Sequence, residues 1–199
     1  MTDNKRIILA SKSPRRRELL EMLGVKFDAI ADNSPEETDF SMPPYEVVKS
    51  LAIAKGRNVA ATLEKETDAL IISADTVVVA DGKIMGKPKD RSDAYKMLET
   101  LGGRSSLVYT GVYVTDLKSG HEAEFYEKTE VFFKRLDTDE INAYINTGEP
   151  MDKAGAYGIQ NFGALLIEKI NGDYFTVVGL PLCRLGRVLK EEFDIKILG

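Results

Sequence analysis

Residues 8–20 read Ile-Leu-Ala-Ser-Lys-Ser-Pro-Arg-Arg-Arg-Glu-Leu-Leu: an apolar strand end, a serine turn and a helix start that carries three arginines. A helix start bears roughly half a positive charge and favours acidic side chains, so arginines there are misplaced unless an anion occupies that end. The anion that fits best is a polyphosphate. The pattern predicts a strand over Arg6–Ala10 and a helix over residues 14–23, with Ser13 as its cap, Pro14 in its first turn and Gly24 at its end. Helical spacing sets Arg15 and Arg16 one turn before Leu19 and Leu20 on the buried side, whereas Arg17 faces Glu21 as an exposed ion pair.

Working outward, strands and helices alternate without repeats. A helix is expected over 44–63 from the spacing of Val47, Val48, Leu51, Ala52 and Val59. Residues 69–80 are almost continuously apolar, as in a strand buried on both faces, and Asp81-Gly82 turns the chain into a partner ending near Met85. A helix over 92–101 closes at Gly102-Gly103, and alternating segments 106–117 and 122–134 form a long hairpin. Next come a helix from Thr138 or Asp139 to Asn146, a glycine-rich passage over 155–163, strands over 164–170 and 174–178 about an Asn171-Gly172 turn, and a last helix over 182–193. The expected class is α/β, with a mixed sheet in one domain spanning residues 1–199.

Composition narrows the chemistry. A net charge of −5 argues against a nucleic-acid polymer as partner, so the arginines should serve a small anion. No apolar run spans a bilayer and residues 1–5 lack a secretion signal, which makes no membrane and a cytoplasmic location the expectation. The single cysteine, Cys183, reads as a small core residue, and the lone His121 makes a His/Cys zinc site unsuited. Any metal would be a hard cation on carboxylates.

Asp75 is the residue this pattern tolerates least. It interrupts Leu-Ile-Ile-Ser-Ala-Asp-Thr-Val-Val-Val, where a buried carboxylate is costly unless a cation or several hydrogen bonds meet it. A metal or a reacting water accounts for it; so would a strand bulge or neighbouring amides. Lys87 follows in Met-Gly-Lys-Pro, held extended by Pro88. The Gly155-Ala-Tyr-Gly-Ile-Gln160 passage carries neither dinucleotide fingerprint and by itself reads as an irregular connection.

In order along the chain, Leu-Ala-Ser-Lys-Ser-Pro-Arg-Arg at 9–16, Leu-Ala-Ile-Ala-Lys at 51–55, Ser-Ala-Asp-Thr-Val-Val at 73–78, Gly-Lys-Pro at 86–88 and Asp-Lys-Ala-Gly-Ala-Tyr-Gly-Ile-Gln at 152–160 resemble the Maf family of nucleoside triphosphate pyrophosphatases. The last motif is similar to the branch acting on dTTP and UTP. The resemblance implies an elongated, curved mixed sheet flanked by helices, with two lobes around a central cleft, related to the ITPase fold. It also implies roles: Asp75 catalytic, Ser11, Arg15, Arg16, Lys55 and Lys87 on the triphosphate, and Arg15, Thr76 and Gln160 tuning base preference. Mg²⁺ or Mn²⁺ would be held by Asp75 and Glu37, with Glu36 beside it. Asn161 replaces the glycine that usually follows the glutamine, and would narrow the base pocket or take a left-handed backbone. The expected partner is a nucleoside triphosphate, and the expected assembly a homodimer. The competing reading is a nucleotide-binding regulator of cell division and septum formation that does not turn over, for which a carboxylate beside the polyphosphate has little use.

Overall fold

Strand β1 (Arg6–Ala10) runs into α1 (Pro14–Met22) as the helix-start signals require. The structure, a computed structural model, describes residues 5–35, 38–64 and 67–198. Ser13 stands at the capping position, but its hydroxyl caps nothing; its backbone N–H instead donates to Ser11 Oγ at 3.1 Å, so Ser11 closes the turn. At the far end Gly24 takes φ +70°, its N–H donating to the Glu21 carbonyl at 2.8 Å while that of Val25 donates to Leu20 at 3.3 Å. These two bonds form a Schellman close, which glycine enters without strain. Arg17 is exposed as expected, but among the described residues it forms no ion pair with Glu21.

Strand β2 (Asp28–Ala29) is too short to leave a periodic signal. Helix α2 (Pro44–Ala60) starts where its spacing says and ends before Leu63, whose N–H closes a turn on the Ala60 carbonyl. Strand β3 (Ala69–Ala80) turns through Asp81 (φ 48°) and Gly82 (φ 73°) into β4 (Lys83–Met85); two successive left-handed residues suit the twist of a tight hairpin. Helix α3 (Arg91–Leu101) is capped by the Asp90 carboxylate on the Asp93 N–H. Strands β5 (Ser105–Asp116) and β6 (Glu122–Phe133) are the long hairpin, and α4 (Thr138–Asn146) opens on a reciprocal capping box between Asp137 and Glu140. Short 3₁₀ turns at Glu149–Asp152, Ala154–Ala156 and Asn161–Leu166 lead to β7 (Ile167–Asn171), α5 (Tyr174–Val178) and α6 (Leu182–Phe193).

Three expectations are corrected here. The strand predicted over 164–170 begins only at Ile167, because the residues before it coil with the Phe162 and Gly163 amides turned to the Glu149 carboxylate. Tyr-Phe-Thr-Val-Val at 174–178 is a short helix despite its β-forming residues: Asp173 Oδ2 accepts from the Thr176 N–H at 2.7 Å and its hydroxyl at 2.8 Å, a local bond that outcompetes propensity. Cys183 is exposed, since α6 buries Leu182, Leu185, Val188 and Leu189 and position 183 falls outside that stripe.

The sheet is mixed, in the order β2-β1-β3-β5-β6-β7 with β4 on β3. Strand β1 is parallel to β2 and β3, whereas β4 is antiparallel to β3 and β7 to β6. The chain divides into two compact units. One takes it through Asp75, then Thr110–Tyr126 and from Gly179 onward; the other is Thr76–Tyr109 with Glu127–Val178. The first has an apolar cluster of Ile8, Ala10, Val59, Ala69 and Ile71. The second packs Leu98 and Leu101 with Val131, Phe133, Ile141 and Tyr157, each buried aliphatic side chain contributing about 1.5–3 kcal/mol. Among the described residues no helix is long and apolar enough to cross a membrane.

Candidate active site

Residues two apart on a strand share a face, and Ser73 and Asp75 both turn to α2. Ser73 Oγ donates to the Ala52 carbonyl at 2.7 Å, and the Lys55 ammonium donates to the Asp75 carboxylate. Ala52 and Lys55 are one helical turn apart, so a two-residue step on β3 matches a three-residue step on α2. The helix can lie this low because two glycines make room. A Cβ on Gly111 of β5 would stand 2.5 Å from the Val48 carbonyl carbon and oxygen, and one on Gly56 would stand 2.5 Å from the Tyr113 ring. Asp75 is only 9% exposed, and the cation that its burial demands is Lys55.

The arginines converge on the same end of the sheet. Ala10 pairs with Ser73, so the chain leaves β1 for α1 at the carboxyl end of β1, beside the middle stretch of β3 that carries Asp75. In open α/β sheets ligands bind just outside such strand ends. Ser11 is buried, its Oγ accepting from the Ser13 N–H and, at 3.4 Å, from Arg16 Nη1. Arg16, itself 9% exposed, donates through Nε to the Gly179 carbonyl at 2.7 Å. Gly179 has φ +120°, a backbone only glycine adopts freely, so that carbonyl is placed by a residue that cannot readily be exchanged. Arg15 is half-buried in the same first turn, which contains no acidic residue. Serine hydroxyl, two guanidinium groups and a helix N-terminus together make an end that favours an anion.

Asp32 is a group that the sequence reading missed. Its carboxyl lies below the usual range: burial opposes this, but the Ser34 N–H at 2.9 Å, the Asn58 amide at 3.1 Å and the Lys55 charge outweigh it. A lone aspartate in a polar segment leaves no pattern to find. Glu37 and Glu36, the expected metal partners, lie outside the described residues. The described donors near Lys55 are carboxylate oxygens, which suit Mg²⁺ or Mn²⁺ rather than zinc; among the described residues no three acidic, histidine or cysteine side chains gather into a metal-binding group.

Thr76, Lys87 and Gln160 belong to the second unit. Thr76 follows Asp75 in β3, and Lys87 is exposed beside Gly86, whose carbonyl accepts the Gly155 N–H at 3.0 Å. Gln160 is half-buried in extended backbone, and Asn161 after it takes φ +53°, the left-handed conformation expected of an asparagine in the glycine's place. Nearby, Tyr144 has its phenol pushed up by burial, against the Gly158 amide and with the Glu149 charge.

Residues 6–192 match the Maf-like protein family, and the chain belongs to it. Its relatives include proteins named dTTP/UTP pyrophosphatase from Caldanaerobacter subterraneus subsp. tengcongensis, 50% identical over 98% of this chain and 92% of that one, and from Alkaliphilus metalliredigens, 49% identical over 98% and 100%. Another, from Bacillus pumilus, is 48% identical over 95% and 97%. Among solved structures the chain is similar to the Staphylococcus aureus Ham1 protein at 15% identity and a TM-score of 0.44, over 65% of this chain and 72% of that one.

Proposed function

We propose that this chain is a nucleoside triphosphate pyrophosphatase that hydrolyses dTTP and UTP between the α- and β-phosphates, releasing the monophosphate and pyrophosphate. The observation that carries the reading is a buried Asp75 met by Lys55 beside the anion-favouring start of α1, in a chain about half identical to relatives named for this reaction.

The chemistry follows from what each group can do. Water attacks phosphorus while charge moves onto the leaving pyrophosphate, so preplaced cations lower the barrier. Arg16, held from both sides, and Arg15 contribute guanidinium donors that pair with phosphate oxygens, and Lys55 and Lys87 add point charges. Asp75 orients the attacking water and accepts its proton, needing hydrogen-bond reach of it and no covalent intermediate. A divalent cation held by Asp75, with Glu37 as its expected partner, would neutralise phosphate charge. The Gln160 amide offers a donor and an acceptor, which match O4 and N3–H of uracil and thymine. One methyl group is worth about 1–3 kcal/mol in an apolar pocket, so serving both dTTP and UTP asks little of the site.

The test is product analysis. The protein is incubated with Mg²⁺ and each of dTTP, UTP, CTP and GTP, and pyrophosphate is resolved from orthophosphate, with and without chelator. Monophosphate plus pyrophosphate, fastest from dTTP and UTP and lost on chelation, is the expected result. Orthophosphate plus a diphosphate would overturn the bond assignment, and full activity in excess chelator the metal.

A further inference from the structure

The loop that carries Gln160 is tied to one acidic side chain that no sequence motif singled out, directly at its far end and through Tyr144 at its near end. Glu149 Oε1 accepts from the Tyr144 hydroxyl at 3.0 Å and from the Gly163 N–H at 3.3 Å, while Oε2 accepts from the Phe162 N–H at 3.2 Å. The Tyr144 oxygen in turn accepts from the Gly158 N–H at 3.2 Å, so the chain is gripped just before and just after residues 159–161. The grip is close: a Cβ on Gly163 would stand 2.0 Å from the Gly158 carbonyl oxygen, which means the two loop ends touch. Glu149 is itself held, with its N–H on Thr147 Oγ1 at 3.1 Å and its carbonyl accepting from Lys153 Nζ at 2.6 Å. Between the tied ends, the Gln160 amide has no hydrogen-bond partner among the described residues.

We propose that Glu149 is a positioning residue for base selection: by closing residues 158–163 into a fixed loop, it aims the Gln160 amide and so sets the preference for dTTP and UTP. The inference rests on the reading of Gln160 as the base-recognising group. Three donors need two carboxylate oxygens with free lone pairs on both. An amide in place of the carboxylate has one oxygen and one donor group, so at least one of the loop or phenol donors loses its acceptor. Glu149 touches no reacting atom in this scheme, and its effect must therefore be selective for the base.

The test compares kcat/KM for dTTP, UTP, CTP and GTP in wild type, Glu149→Gln, Tyr144→Phe, Gln160→Leu and the Glu149→Gln/Gln160→Leu double variant. Amide hydrogen exchange at Phe162 and Gly163 is measured on the same proteins. Glu149→Gln is expected to speed that exchange and to lower dTTP and UTP hydrolysis about tenfold, with CTP and GTP changed less than about twofold, the scale of one lost hydrogen bond. Tyr144→Phe moves the preference in the same direction, and in the Gln160→Leu background Glu149→Gln leaves the preference where it is. If Gln160→Leu narrows the preference but Glu149→Gln does not, Glu149 has no positioning role and the base reading stands. If Gln160→Leu leaves the preference untouched, the base reading falls and this inference with it. An equal loss for all four triphosphates in Glu149→Gln, or unchanged exchange at Phe162 and Gly163, also overturns it.

Discussion

The Lys55 ammonium rests on the Asp75 carboxylate and joins α2 to β3 through side chains only 17% and 12% exposed. Removing two charges from water costs several kcal/mol before their attraction returns anything, and well-packed apolar side chains often stabilise a fold as well or better. A pair kept for stability alone would be a poor choice at this position. A pair whose carboxylate handles water and whose ammonium handles phosphate, the roles proposed for Asp75 and Lys55, is a good one.

Asp75→Asn keeps the size and removes the charge. Turnover should fall about 10²–10⁴-fold, the range of a lost general base, while triphosphate affinity measured without metal is retained. Calorimetric titration alongside steady-state kinetics checks both, and near-native turnover would end the catalytic assignment.

The closeness of α2 to β5 makes a separate prediction. In Gly111→Ala the new methyl meets backbone atoms of Val48 at 2.5 Å, so the helix must lift, at a cost of about 1–3 kcal/mol. Thermal unfolding should show the loss, and kcat should drop with it because Lys55 rides on that helix. Gly186 in α6 has nothing within 4 Å of its Cβ position, and Gly186→Ala should instead raise Tm slightly, by about 0.4–1 kcal/mol of stability, without touching activity.

Arg16→Lys preserves the charge but not the fork that reaches the Gly179 carbonyl and Ser11 Oγ together. Both triphosphate affinity and rate should fall, and inhibition by inorganic pyrophosphate should weaken in parallel. Retained pyrophosphate affinity would remove Arg16 from the phosphate site.

Asp116 predicts a pH dependence of stability. Burial raises its carboxyl, but the Lys5 ammonium and the Ser119 and Lys118 amides outweigh this and hold it below the usual 3.8. A carboxyl depressed in the folded state stabilises at pH values above its unfolded value and ceases to as pH falls through the folded one. Asp116→Asn should therefore lower Tm at neutral pH, by about 1–3 kcal/mol of stability for bonds to a charged group, and the gap to wild type should close as pH falls through the depressed folded-state value. A gap that persists in acid would show that packing, and not charge, is what Asp116 provides.

What could be read from the residues, and what could not, divides along physical lines. Asp75 was legible because a charge interrupts an almost continuously apolar strand. Strand β3 and helix α6 were legible to the residue because their patterns were long. Lys55 was different: a lysine on an amphipathic helix is ordinary, and only the motif resemblance pointed to it. Gly56 and Gly111 gave no signal, since the need for a missing side chain arises from another element's backbone. The same holds for Glu149, whose partners lie on a helix before it and a loop after it. Residues 174–178 misled because one side chain, Asp173, decides their conformation against five residues that favour strand.

Arg16 is seated by a carbonyl that lies 163 residues further along the chain. During synthesis the arginine motif leaves the ribosome early, and Arg16 gains its Gly179 contact only after the rest of the chain up to that glycine has followed it. A nascent chain halted before that glycine carries every arginine of α1 and still lacks a rigid guanidinium. Truncated products of this gene should then be weak competitors for triphosphate, and proteolytic loss of the C-terminal segment should silence the enzyme at its opposite end.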